Sequence, residues 1–389
     1  LPCLTRIGEP RPVLANALFA LRFGKAWQGV LAYDEFALTA MLMLPPPWQA
    51  GANQWVPKRW SDVDDAHTTE WLHLHEIFVP LHVAAVAAQA VAQDQSFHPV
   101  RDYLEGLKWD GTPRVAGFMN TYFGAEATGY HSSIGMCLLI SAVARVMSPG
   151  CKADHVPILE SGQGKFKSTA LEVLGSPWFS DDIAELGSKD SAMQVRSTWI
   201  IEIAELASMH RGEVERVKAF TSRRIDRFRP SYGKHVIEQP RQCVFVGTTN
   251  DTAYLKDATG ARRFWPAKCG LIDIAALRRD RDQLWAEAVH LYNAGVPWWL
   301  SDAESVADAE DAQDQRYQPD PWEATVAGYL LDRDEASVTC ILSDLLGIPM
   351  DRQDHSMAVR VARCLQHSGW ARKRRGGRGE RRWVYIKET

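Results

Sequence analysis

The segment Ser161-Gly162-Gln163-Gly164-Lys165-Phe166-Lys167-Ser168-Thr169 follows the apolar run Ile158-Leu159-Glu160 and precedes Ala170-Leu171-Glu172-Val173-Leu174. An apolar strand, a Gly-containing turn, Lys-Ser and an amphipathic helix are the parts of a phosphate-binding loop. Backbone N–H groups of such a turn and of the helix N-terminus can cradle phosphate oxygens. In that reading Gly162, Gln163, Gly164, Lys165 and Thr169 line the cradle and Lys167 reaches the β- and γ-phosphates. The Ser168 hydroxyl completes the shell of a Mg²⁺ ion that otherwise keeps its waters. ATP and Mg²⁺ are therefore the expected cofactors. The register is imperfect, because the usual pattern wants Gly at 161 and 166 and the chain has Ser161 and Phe166. Phe166 is tolerable only if its backbone avoids positive φ. A Gly-containing strand-to-helix turn carrying a solvated lysine pair would have the same composition.

Three later features extend the chemistry. Ser197–Leu206 reads as an apolar strand ending in carboxylates, with Glu205 as the catalytic acid that orients water and Glu202 assisting the metal. The plainer reading is a buried strand with one solvent-facing Glu. Arg241–Asn250 reads as a further strand whose terminal Asn250 can hydrogen-bond the γ-phosphate and the lytic water. Beyond it, Arg262 and Arg263 are candidates for a finger that reaches a neighbouring subunit's γ-phosphate, worth about 10³–10⁵ in rate where it operates. A surface salt bridge is the alternative for that pair.

These motifs occur in one order. Glu160-x-Gly-Gln-Gly-x-x-Lys-Ser-Thr, Trp199-Ile-Ile-Glu-Ile-Ala-Glu-Leu, Lys218-Ala-Phe-Thr-Ser-Arg-Arg-Ile-Asp-Arg-Phe-Arg-Pro-Ser-Tyr-Gly-Lys, Val246-Gly-Thr-Thr-Asn and Thr259-Gly-Ala-Arg-Arg-Phe-Trp-Pro resemble the virulence-associated protein E family. That family is related to the superfamily 3 helicases of phages, plasmids and small viruses. The resemblance covers about residues 100 to 300. It implies an AAA+-type ATPase core, usually a ring, in phage-like or mobile-element replication. The family often varies the residue that Phe166 occupies. It carries its DNA contacts between the acidic strand and the Asn strand, here Arg223–His235. A hairpin tip of Tyr232-Gly233-Lys234-His235 would then enter the pore, Lys234 on a phosphate and Tyr232 or His235 stacked on a base or sugar. The resemblance also places Asp226, with Arg227 or Arg229, in a subunit-interface network. A basic loop paired with nearby acids is the plainer reading.

The elements that position these residues divide the chain into four parts. Residues 1–111 read as a helical N-terminal region. Residues 112–300 alternate strands with helices, the pattern of an α/β sheet covered on both faces, and form the P-loop AAA+-type core that the resemblance implies. His73, His75 and Glu76 could suggest a metal site, but one short run rarely supplies a whole ligand set, and the plainer reading is preferred. Residues 301–320, rich in acid and Ala, read as an exposed helix or acidic linker. Residues 321–389 read as three helices and a basic hairpin, the outline of a winged helix. Arg372, Lys373, Arg374, Arg375 and Arg378, with Arg381 and Arg382, flank Gly376-Gly377 and suit phosphate contact by counterion release. Arg360 and Arg363 on the preceding helix are candidates for the major groove. The alternative is a solvated basic tail docked on the acidic segment.

The chain has 389 residues, 46% hydrophobic and 24% charged, which excludes a mostly disordered, collagenous or coiled-coil protein. No apolar run approaches the ~20 residues of a membrane span. Seven scattered cysteines without a C-x-x-C pair argue for a reducing cytosol, here that of a bacterial host. The start at Leu1-Pro2-Cys3 suggests a piece of something longer, with a primase-type module ahead of it. The net charge of −4 conceals an acidic stretch at 301–320 that offsets basic clusters at 223–235 and 372–382. The reading is an ATP-dependent DNA helicase or replication ATPase, a hexameric ring on single-stranded or forked DNA with no membrane partner. A non-motor DNA-binding protein with a degenerate, regulatory nucleotide site is the alternative.

Overall fold

The structure is a computed structural model that describes residues 2–51, 54–182, 189–206, 209, 211–229, 236–255, 261–317, 320–375 and 382–387. Near the N-terminus come α1 (Leu14–Phe23), β1 (Leu31–Asp34), β2 (Thr39–Leu42), β3 (Lys58–Arg59), α2 (Asp62–Leu74), α3 (Leu81–Gln93) and β4 (Ser96–Phe97). The strands form a sheet in the order β3-β2-β1-β4. The region expected to be helical is therefore helices packed on a small sheet. Strands of two to four residues are too short to show an alternating pattern in sequence. Asp34 Oδ1 closes the β1–β2 turn by accepting the Phe36 and Ala37 N–H groups at 2.8 Å. Ala84, Ala87, Ala88, Val91 and Ala92 give α3 a smooth buried stripe against α1, α2 and the sheet.

The middle of the chain runs α4 (Pro99–Gly106), α5 (Phe118–Phe123), α6 (Gly129–Met147), β5 (Val156–Glu160), α7 (Lys167–Gly175), β6 (Phe179–Ser180), α8 (Lys189–Gln194), β7 (Ile200–Ile203), α9 (Arg211–Thr221), β8 (Ile225–Phe228), β9 (Ile237–Pro240), β10 (Val244–Thr249), β11 (Phe264–Lys268) and α10 (Ile274–Asn293). Five of these strands form one sheet, β11-β5-β10-β7-β6, with every pair parallel. Parallel strands need both faces covered, and β5, β7 and β10 are accordingly buried along their whole lengths. Trp199 locks sheet to helix: its Nε1 donates to Ala142 O on α6 at 2.8 Å, and its ring lies 4.2 Å from that of Trp285 on α10.

Helix α6 corrects an expectation. With a mean hydropathy of 1.3 over 18 residues, it is long and apolar enough to cross a bilayer. Here most of its surface is taken up by α10, α5 and the turn at Val115–Gly117, with β10 touching it as well, and a helix enclosed by protein is apolar all round for that reason.

Strands β8 and β9 make a separate antiparallel hairpin. Its tip, with Tyr232, Lys234 and His235, lies outside the described residues. Its base is pinned by the buried pair of Asp226 with Arg241, at 2.5 and 2.8 Å. Asp226 is thus committed within its own chain rather than to an interface network, because a carboxylate so deeply buried needs a partner at close range. Arg227 pairs across the strands with Glu238 at 2.9 Å.

The acidic segment takes the first of its two expected forms, a helix with an exposed acidic face. It forms α11 (Ala303–Asp314), which packs on α6 and β11 rather than acting as a linker. Its acids face water, while Ala309 and Gln313 are buried and Gln313 Nε2 donates to Phe264 O at 2.9 Å. The small side chains of alternating acid and Ala let one face approach the core, which composition alone does not show.

Beyond it are α12 (Glu323–Leu330), α13 (Val338–Cys340) running on into a π-turn (Ile341–Leu345), α14 (His355–His367), β12 (Trp370–Arg375) and β13 (Arg382–Lys387). β12 and β13 pair antiparallel, as the basic run on either side of Gly376-Gly377 suggests. Val361, Cys364 and Leu365 of α14 pack with Ile341, Leu342 and Trp370 into a core of their own.

Candidate active site

Five buried residues of β5 end at Glu160, and α7 begins at Lys167, so residues 161–166 form a tight loop at the carboxyl end of the sheet. In open α/β sheets this end is where ligands bind. The turn uses two left-handed residues, Gly164 at φ +73° and Phe166 at φ +64°. Phe166 therefore does what its residue type was expected to forbid. Its ring stays in solvent, 60% exposed, so the cost is confined to the backbone.

Lys167 is largely buried, and its Nζ donates to Ser161 O at 2.8 Å, Ser161 Oγ at 3.1 Å, Asn250 Oδ1 at 3.0 Å and Gly162 O at 3.3 Å. Burial pulls its ammonium below the ordinary lysine range, opposed by nearby Cys269 and Glu202. The loop, with Asn250, satisfies the lysine. The Ser161 hydroxyl is one of the acceptors, an atom that glycine at this position would lack.

Glu202, on β7, is almost fully buried. Its Oε1 accepts the Ser168 hydroxyl at 2.9 Å and the Thr248 hydroxyl at 2.5 Å. Its Oε2 is buried with no partner among the described residues. An orphaned carboxylate oxygen beside a serine hydroxyl is a hard-oxygen donor set, and the residues fit a Mg²⁺ ion with waters completing its shell. Sequence reasoning missed Thr248, although it stands in the polar run Thr248-Thr249-Asn250.

β10 lies between β5 and β7, which sets Asn250 beside the loop and Glu202 behind it. A pocket of about 400 Å³ is lined by Gln163, Gly164, Lys165, Lys167, Ser168, Thr169, Glu202, Glu205 and Asn250 together. Glu205 follows the strand in a turn at φ +53° and reaches the pocket from its rim. Gly162 instead lines a neighbouring cleft, which shares Lys165 and Asn250 with the pocket.

Arg262 and Arg263 lie elsewhere. β11 runs parallel to β5 with Phe264 opposite Val156 and Lys268 opposite Glu160. The two arginines precede it, roughly 16 Å from the loop end of the sheet at ~3.3 Å per residue. Arg263 Nε is 3.5 Å from Asp154, while Arg262 is exposed. Neither can serve the pocket of its own chain.

On the C-terminal hairpin, Arg372, Lys373, Arg374 and Arg375 are exposed in succession. The Arg372 and Arg374 guanidinium carbons lie 4.3 and 5.7 Å from the ring of Trp383, and Arg375 pairs with Glu335 at 3.1 Å. Arg378 lies outside the described residues. Arg360 is corrected: it makes a bidentate pair with Asp320 at 2.6 and 2.8 Å and stacks 3.8 Å over Trp322, so it is not held out toward a groove.

A family model described as the virulence-associated protein E-like domain matches residues 104–318. No curated protein matches the chain. Among solved structures, the apo structure of the NrS-1 C terminal region (305-718) is similar at 12% identity, covering 92% of this chain and 96% of that one with a TM-score of 0.46. The A form apo structure of NrS-1 C terminal region-CTR gives 13% identity, 73% and 78% coverage and a TM-score of 0.42.

Proposed function

The chain belongs to the virulence-associated protein E-like family, and on that premise we propose that it is an ATP- and Mg²⁺-dependent ATPase of the AAA+ kind, acting on DNA in phage or mobile-element replication. One observation carries the reading: three parallel strands deliver Lys167, the Ser168–Glu202 pair and Asn250 to one pocket. The strand order supports it, since β10 between β5 and β7 is what lets Asn250 touch the lysine.

Ser168 and Glu202 would hold the metal, which would supply positive charge against that of the phosphates. Lys167 leaves Ser161, Gly162 and Asn250 for the β- and γ-phosphates. That exchange frees Asn250 Oδ1 to accept a hydrogen bond from the attacking water, with Glu205 also lining the pocket to orient it. Arg262, exposed at the opposite end of the sheet, serves a neighbouring copy in a ring, where it would stabilise charge on that copy's γ-phosphate. The β8–β9 hairpin on its rigid Asp226–Arg241 base, and the basic C-terminal hairpin in a winged-helix-like unit, are the DNA-binding parts.

A second reading is a non-motor DNA-binding protein with a regulatory nucleotide site. The left-handed Phe166 and the self-satisfied Lys167 favour it. Titration with a fluorescent, non-hydrolysable ATP analogue in Mg²⁺ tests the site that both share. Wild type is expected to bind with an affinity that falls at least tenfold in Lys167→Ala and in Glu202→Gln, and that falls when Mg²⁺ is removed. Equal binding by all three, or none by wild type, would sink both readings.

A further inference from the structure

The residue before the loop makes an ion pair that the phosphate chemistry does not require. Glu160 is buried, and Arg316 grips it with Nε–Oε1 and Nη2–Oε2 contacts of 2.9 Å each. Tyr254 donates its hydroxyl to the same Oε1 at 2.7 Å. Arg316 follows α11 and stands where the core gives way to the C-terminal unit. Its carbonyl accepts the N–H groups of Tyr254 and Leu255, so the backbone there is fixed to the segment that leaves Asn250. The next residue, Tyr317, reaches the other way. Its hydroxyl lies 2.5 Å from Glu323 Oε1 on α12 and 2.7 Å from His367 Nδ1 on α14, and these two side chains are themselves 2.8 Å apart. Two adjacent residues therefore hold the entry to the loop on one side and both helices that carry the basic hairpin on the other.

The lysine also ties down the loop entry, donating to Ser161 and Gly162, the residues directly after Glu160. When Lys167 turns to a phosphate, those acceptors lose their donor and the loop entry must re-form its hydrogen bonds. We infer that Arg316 and Tyr317 are positioning residues that couple the occupancy of the nucleotide pocket to the seat of the C-terminal hairpin, so that nucleotide changes the protein's affinity for DNA. This rests on the nucleotide reading above. Coupling of this kind is reciprocal, so DNA must change nucleotide affinity by the same factor.

The test is fluorescence anisotropy of labelled forked DNA on the full chain, with and without a saturating non-hydrolysable ATP analogue and Mg²⁺, alongside direct titration of the analogue. Wild type is expected to shift its DNA affinity by at least about fivefold. Tyr317→Phe and His367→Gln, remote from the pocket, are expected to bind the analogue and nucleotide-free DNA as wild type does, with the ratio collapsing toward one. Arg316→Lys, which keeps the charge but not the bidentate grip, is expected to fall between. If wild type binds the analogue but its DNA affinity does not move, the coupling is refuted and the nucleotide site stands. The coupling is equally refuted if both remote variants keep the full ratio. If wild type binds no analogue, the coupling falls together with the nucleotide reading.

Discussion

At the scale of the residue, the site departs from the usual pattern at Phe166, and the departure can be measured. A non-glycine residue in the left-handed region costs roughly 1–2 kcal/mol, and the exposed ring returns little packing in exchange. Phe166→Gly should raise unfolding free energy by about 1 kcal/mol in urea denaturation, whereas the β-branched Phe166→Val should lower it; the reverse order would contradict this backbone account. A second residue sets acid sensitivity. His155 is buried against Trp265, 4.2 Å away, and burial pushes its imidazole down to about 4. The folded state therefore keeps it neutral while the unfolded chain, at the ordinary value near 6.5, takes up a proton. Its contribution is full above about pH 6.5 and is lost as pH falls toward 4, so stability should drop over that window and drop less in His155→Gln. That Lys167, Ser168, Glu202 and Asn250 belong together was legible, because residue type and order suffice to group them, and the structure sets them around one pocket. Thr248, Ser161 and Arg316 were not, since their roles depend on which strands are neighbours and on where α11 ends.

At the scale of the element, the apolar runs at 156–159, 199–203 and 243–246 announced three of the five parallel strands, because strands buried on both faces need continuous apolar sequence. Their order was not legible, since nothing in β10 itself says that it lies between β5 and β7. The short strands β1–β4 and the docking of α11 escaped notice for a related reason: tertiary contacts, not local pattern, decide them. The β8–β9 hairpin depends on one such contact. Asp226→Ala would leave Arg241 charged and buried without its partner, a loss of about 3–5 kcal/mol. Hydrogen exchange should then show lost protection at Ile225–Phe228 and Ile237–Pro240. Unchanged protection there would mean that the pair does not anchor the hairpin.

At the scale of the whole molecule, the net charge of −4 says little about partners, because the acids of α11 and the basic run of β12 belong to different elements and their charges are summed regardless of place. A hairpin that holds DNA by counterion release should show it in salt dependence. Replacing Arg372, Lys373, Arg374 and Arg375 with Ala should reduce the slope of log K against log salt by up to ~3, at about 0.7 for each single-strand phosphate no longer neutralised; an unchanged slope would remove that hairpin from the DNA surface. The account as a whole stands on whether the pocket turns over ATP. Its most direct test is steady-state ATP hydrolysis with and without single-stranded DNA by wild type, Lys167→Ala and Glu205→Gln. The account predicts turnover by wild type that DNA stimulates and that falls at least a hundredfold in both variants. Wild-type turnover no higher than that of either variant, with or without DNA, would contradict it.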